Sequence, residues 1–427
     1  MKKKLAILMA VMMVLVLSLS GCGSSEGTPD SNDQGLNDNG LNDNGSSDSQ
    51  ENITVAVAWN SMEATTQVRM KYLEDHLGPA LGIDFIFSEI ISDTSELMNF
   101  LENSHAAGAD ALLSSVTDGI EQLVSRADEL GVYTAVVSSN LYEEVAEIPT
   151  FMGVTGIDLG RVADSYGELI DEQFDSAEPG SFLIVTGGAA MGVSSHREAT
   201  RSMLETLQEK YGLTYDRSID DLAGINSTTQ ISTGNEDVDI TIVPGFPNVD
   251  GYISGVSRLL QSGDYNAILS VYATVDTFAT VIDEAEKALN KNITVLCQAN
   301  FGETTKRAFE TVDSTGNPNL DGAIIYPGTV NDAYGIVLLY NAVTGHSDVV
   351  NPEGRAVVMA PGPLVVQNAE AYGMLEDLDT RDDMYVYTAD EVKEMLKEYN
   401  EDVDYDFLMN VTSEFSTEDI IERRGLQ

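Results

Sequence analysis

The sequence predicts an α/β protein of two lobes, each a parallel sheet flanked by helices, and three observations carry that prediction. Short β-branched apolar runs alternate with helix-period stretches from Ile53 onward, the signature of βαβ units. The alternation occurs twice, with a junction at residues 153–157. The roughly 370 residues beyond Asn52 exceed one ordinary core and suit two lobes of about 100 to 200 residues each.

In the first series, strands are expected at residues 53–59, 83–90, 109–116, 132–139 and 150–154. Helices are expected at residues 95–108 and 119–131, each closed by a glycine. Asp93 with Glu96, and Asp118 with Glu121, have capping-box spacing, so both aspartates are expected as helix caps. The second series places strands at residues 180–188, 239–246, 266–276, 293–301 and 321–328, with helices at 196–212 and 275–290. Ser195 with Glu198 again has capping-box spacing. Ligands of open α/β sheets sit beyond the carboxyl ends of the strands, so a cleft faced by both sets of ends is the expected site. Past Tyr372, Thr388 with Glu391 and Ser416 with Asp419 predict two short capped helices.

The amino end is of a different kind. Lys2, Lys3 and Lys4 precede an apolar run to Leu17 that is shorter than the roughly 20 residues a membrane-spanning helix needs. This is the layout of a signal peptide, residues 1–21. Leu19-Ser20-Gly21-Cys22 resembles the bacterial lipobox, which implies that the Cys22 thiol carries diacylglycerol and becomes the mature amino terminus. Residues 22–52 follow as an acidic tether: from Gly23 to Asn52 there are seven acids, no Lys or Arg, no aromatic residue and a GLNDN repeat, too little apolar surface to offset the entropy of ordering. A calcium loop begun at Asp30 would place Leu41 where an EF-hand needs Glu, so no metal is expected. With Cys22 lipidated, Cys297 has no disulfide partner and is expected as a small buried apolar residue.

Formal charge is −48, and near −51 once Lys2, Lys3 and Lys4 are removed. Nucleic-acid binding needs clustered Lys and Arg that this chain lacks. His76, His105, His196 and His346 are the only histidines; they form no HExxH, and no cysteine cluster or G-x-S-x-G elbow accompanies them. The run Gly187-Gly188-Ala189-Ala190-Met191-Gly192 lacks the Gly-Lys-Ser/Thr of a phosphate loop. No catalytic residue and no cofactor is therefore expected.

Four stretches carry a more specific likeness. GADALLSSVTDGIEQLVSRADELGVYTAVVSSN resembles the third strand, helix and fourth strand of the type I periplasmic-binding-protein family, which includes ribose- and galactose-binding proteins. FMGVTGIDLGRVADSYGELI resembles that family's first crossing segment and following helix, and GSFLIVTGGAAMGVSSHREATRSMLETL the opening of its second lobe. DGAIIYPGTVNDAYGIVLLYNAVTG resembles the return into the first lobe, so the likeness covers residues 53–368. It implies two Rossmann-like lobes joined by a hinge of three crossings. The first lobe would take residues 53–155 and 329–357, the second 156–328 and 358–371, leaving residues 372–427 as a C-terminal extension beyond the family's usual length.

The candidate ligand residues lie at strand ends. Trp59, the only tryptophan, closes the first strand and could stack on a sugar ring, with Asn60 and Ser61 bonding hydroxyls; a lid over the lobe is its alternative use. Ser115, Ser139 and Asn140 end the third and fourth strands, where sugar-binding relatives often carry an Asp-Arg pair that is missing here; helix capping competes for them. Arg197 matches the arginine that reaches ligand in the family, with a surface ion pair as the alternative. Tyr272, Asp276, Gln298, Asn300 and Tyr326 follow the remaining second-lobe strands.

These expectations combine into an extracytoplasmic, lipid-anchored, monomeric solute-binding protein on the outer face of the cytoplasmic membrane. It would hold a small polar solute, a sugar by resemblance, and deliver it to an ABC permease by closure of two lobes. The alternative is a sensory component that presents a solute or autoinducer to a receptor or sensor kinase. A lipid-anchored glycosidase would differ from both by turning over its ligand.

Overall fold

The computed structural model describes residues 52–189, 194–263, 265–379, 381 and 384–426. The expected signal peptide, Cys22 and the acidic tether as far as Glu51 lie outside them. Among the described residues no helix is long and apolar enough to cross a membrane.

The strands, in chain order, are β1 (Ile53–Trp59), β2 (Ile83–Ile90), β3 (Ala111–Ser114), β4 (Tyr133–Val136), β5 (Phe151–Val154), β6 (Gly180–Thr186), β7 (Thr229–Ile231), β8 (Val238–Pro244), β9 (Ala267–Ala273), β10 (Thr294–Ala299), β11 (Gly322–Ile325), β12 (Val357–Val358) and β13 (Leu364–Val366). They form two sheets, ordered β12-β5-β4-β3-β1-β2 and β13-β11-β10-β9-β6-β8-β7. Among the described strands only the outer pairs β7–β8 and β11–β13 are antiparallel. Inner strands such as β3, β5 and β11 are buried along their whole length, as parallel strands covered on both faces must be. That is why the sequence shows them as continuous apolar runs.

The chain passes from one sheet to the other three times, at residues 155–158, 326–327 and 359–363. The first crossing ends at Asp158, whose carboxylate accepts from the Gly160 and Arg161 amides and so starts the helix Leu159–Gln173. That helix buries Val162, Tyr166, Leu169 and Ile170 at helical spacing. The second crossing runs into the helix Gly328–Val343, buried on nearly every side, which returns to pack on β3, β4 and β5.

Several helix starts differ from expectation. Asp93 does cap its helix, at 2.9 Å from the Glu96 amide. Asp118 does not: Gly119, in left-handed conformation, is the cap residue and no side chain bonds the orphan amides. Ser195 lies inside the helix Ser194–Tyr211 rather than at its cap. The two expected C-terminal helices are present at Ala389–Lys393, with a complete Thr388 and Glu391 capping box, and at Thr417–Arg424, capped by Ser416. A third helix, Tyr405–Glu414, was not foreseen.

The C-terminal segment is sewn into the rest by buried and half-buried polar bonds. Tyr72 Oη donates to the Tyr387 carbonyl at 2.9 Å, and the Ala389 amide donates to His76 Nε2 at 2.9 Å. Asn341 accepts from the Lys397 amide at 2.8 Å. Burial would raise the Glu391 carboxyl, but Arg424, the Thr388 amide and Arg423 hold it down to about 2. Cys297 is buried and free, as expected, with burial raising its thiol to about 11.

Candidate functional site

The carboxyl ends of β9, β10 and β11 open on a cavity of about 240 Å³. Ser139, from the loop after β4, and Ile157, in the first crossing, close it on the side of the first sheet. Ser195 and His196 enter from the start of the helix Ser194–Tyr211, Gln298 from β10 and Tyr326 from the second crossing. Val162, Tyr166, Ala199 and Val271 supply apolar surface. The Tyr166 hydroxyl is spent inside the second lobe, donating to the Ser270 carbonyl at 2.9 Å.

No Asp, Glu, Lys or Arg lines this cavity among the described residues. Burial pushes the His196 imidazole down to about 4, so it is neutral near pH 7. Burial also lifts the Tyr326 phenol well above its ordinary range. His196 Nδ1 is buried with no hydrogen-bond partner among the described residues. Its ring stands edge-on to Tyr272, centroids 5.0 Å apart, and the Tyr272 hydroxyl is tied at 2.5 Å to the Gly245 carbonyl. Tyr272 therefore backs the histidine instead of offering its own hydroxyl.

Of the residues expected from sequence, Ser139, Gln298 and Tyr326 meet in this cavity and Tyr272 stands behind it. Asn140, Arg197, Asp276 and Asn300 are exposed and do not line it. For Arg197 the helix geometry gives the reason. Ala199, Thr200, Met203, Leu204 and Leu207 form the buried stripe; His196 lies near its middle and Arg197 toward its edge, about 100° from His196. The residue of this helix that lines the cavity is thus the one before Arg197, His196. The signal was present in the spacing of that stripe.

Trp59 also departs from expectation. It is 1% exposed, because strand alternation puts it on the same core face as Val55 and Val57. The Arg69 guanidinium lies 4.7 Å over its ring, so that face is not open to a sugar. Arg69 is in turn held by Asp332, with bonds of 2.8 and 2.7 Å, and donates to Ser115 at 3.2 Å. Ser115 is therefore committed to this group. Ser61 sits within 3.3 Å of Thr66, and Asn60 is exposed after β1. Neither Arg69 nor Asp332 was singled out in the sequence, since their pairing spans 263 positions.

Two lobes of mostly parallel sheet, three crossings and a cavity at the strand ends beside them define the type I periplasmic-binding-protein fold. No family model matches the chain, and no curated protein matches it. Solved structures do. One is an ABC transporter solute-binding protein from Bacillus halodurans C-125 with bound myo-inositol, at 14% identity over 77% of this chain and 99% of that one, TM-score 0.53. Another, from Burkholderia graminis C4D1M in complex with D-arabinose, is 14% identical over 74% and 96%, TM-score 0.51. A third, from Actinobacillus succinogenes 130z with bound D-allose, is 15% identical over 74% and 98%, TM-score 0.51. At such identities the likeness establishes the fold.

Proposed function

We propose that this protein is the solute-binding component of an ABC importer and that it holds an uncharged polyhydroxyl solute of monosaccharide size. The observation that carries the proposal is the cavity itself: neutral hydroxyl, amide and imidazole groups from Ser139, Ser195, His196, Gln298 and Tyr326. Its volume and lack of charge favour a neutral ring or polyol over a carboxylate or amine. Fold relatives holding myo-inositol, D-arabinose and D-allose support the same ligand class. The protein would bind without turnover, closing its two lobes on the solute and presenting the closed form to a permease.

The lipobox-like Leu19-Ser20-Gly21-Cys22 supports a diacylglycerol anchor on the outer face of the cytoplasmic membrane, with residues 22–52 as the acidic tether. The lobe boundaries proposed from sequence stand beside this as the units that close.

Thermal unfolding with D-arabinose, D-allose, myo-inositol and a wider panel of sugars and polyols tests the proposal. A bound solute at 100 times its dissociation constant is expected to add about 2.7 kcal/mol and raise the midpoint. Silence with every neutral sugar and polyol, together with a shift from a charged solute, would overturn the assignment. In a protein with an identified solute, His196→Ala is expected to weaken binding by about 1–3 kcal/mol, read by titration calorimetry. Unchanged affinity would remove His196 from the site.

A further inference from the structure

The C-terminal segment touches both sides of the hinge, and by different means on each. Toward the first sheet it is held by the Tyr72 and His76 bonds, by Asn341, and by Tyr387, whose hydroxyl lies 2.9 Å from that of Tyr334 on the helix Gly328–Val343. Toward the second sheet it is held at two points. Arg161, in the first turn of the helix after the first crossing, donates to the Thr412 carbonyl at 3.1 Å and to the Phe415 carbonyl. Thr417 bonds the Val365 amide and carbonyl of β13, each at 3.0 Å. Between these attachments Phe415 is fully buried and stacks on Tyr387, so the two halves of the segment form one packed unit.

The Arg161 contact is built into the hinge. The Asp158 amide of the first crossing donates to the Pro361 carbonyl of the third, at 3.0 Å. Gly362 leaves room for the guanidinium: a Cβ there would stand 2.5 Å from Arg161 Cζ. Met409, Thr412 and Ser413 of the segment, with Ile157 and Ala360 of the crossings, Arg161 of the following helix and Val358 of β12, surround a second cavity of about 440 Å³ that shares Ser139 and Ile157 with the candidate solute site.

We propose that residues 385–426 form a strap across the hinge that limits how far the two lobes separate, with Arg161 and Thr417 as its fastenings to the second lobe. Its use in setting the open state for solute capture rests on the solute-binding proposal, whereas the restraint itself does not. A strap fixed at both ends narrows the range of open forms, and releasing one end widens it.

The test needs no solute. Spin labels at Gln122→Cys and Ala288→Cys, exposed positions on helices of the first and second lobes, report the interlobe distance in the full chain carrying Cys22→Ser; Cys297 is fully buried and stays unlabelled. Arg161→Ala, and Thr417→Val as a milder release that keeps the side chain's shape, are each expected to broaden the distance distribution about twofold toward longer separations. Gly362→Ala is expected to do the same by displacing the guanidinium. A lower unfolding midpoint with an unchanged distribution in the folded variants would make the segment a packing element only and overturn the proposal. Because no ligand is present, this result is independent of whether a sugar binds.

Discussion

Asp332→Ala is expected to lower the stability of the folded chain by about 3–5 kcal/mol, the cost of removing one partner from a buried ion pair. Asp332 is fully buried, and burial raises its carboxyl above the ordinary range even though Arg69 pulls the other way. Its two bonds to Arg69 are what make its burial tolerable. Without them Arg69, whose side chain is 16% exposed, keeps its charge over the Trp59 ring with only Ser115 among the described residues to answer it. Urea denaturation of the variant measures the loss. The double variant Arg69→Met with Asp332→Leu is expected to recover most of it, since an apolar pair of similar volume needs no charge solvated. If the single and double variants lose the same amount, shape at this position and not charge pairing sets the stability.

The same group shows which parts of the molecule could be read from sequence. Strand positions were legible because inner parallel strands are apolar along their whole length, so β3, β5 and β11 stand out as runs. Facing was legible in principle as well: Val55, Val57 and Trp59 share one side of β1, and the alternation alone places Trp59 in the core. Its position at a strand end in front of polar Asn60 and Ser61 pointed the other way, toward the cleft. The ring is covered because Arg69 arrives from the next helix, a contact that no local pattern encodes.

Register on the helix Ser194–Tyr211 had the same character. The family's pattern drew attention to Arg197, while the buried stripe through Ala199, Met203 and Leu207 favours His196. Long-range polar pairs were illegible for a plainer reason. Arg161 meets the Phe415 carbonyl across 254 positions, and neither partner carries a local signal of the other. The Thr388 and Ser416 caps of the extension are legible, since capping is a matter of three or four residues, but what the extension fastens to depends on how both lobes fold.

Gly156→Ala is expected to have the largest combined effect on stability and binding of any single methyl added at the hinge. Gly156 lies in the first crossing, its amide donating to the Ser138 carbonyl at 2.9 Å. A Cβ there would fall onto the peptide that joins Ser138 to Ser139, nearer than real Cβ atoms come to other heavy atoms, so backbone must shift. Forced overpacking of this kind costs about 1–3 kcal/mol. The peptide that must yield carries Ser139, whose hydroxyl accepts from the Ile157 amide at 3.1 Å and which stands between the two cavities. Moving it disturbs the only wall the first lobe contributes to the candidate solute site among the described residues, apart from the crossing itself. A lower unfolding midpoint by calorimetry, with solute affinity reduced well beyond that of a surface variant such as Asn300→Ala, is the expected outcome. A lower midpoint with affinity unchanged would mean that the strain relaxes away from Ser139, and the cavity would then depend on the second lobe alone.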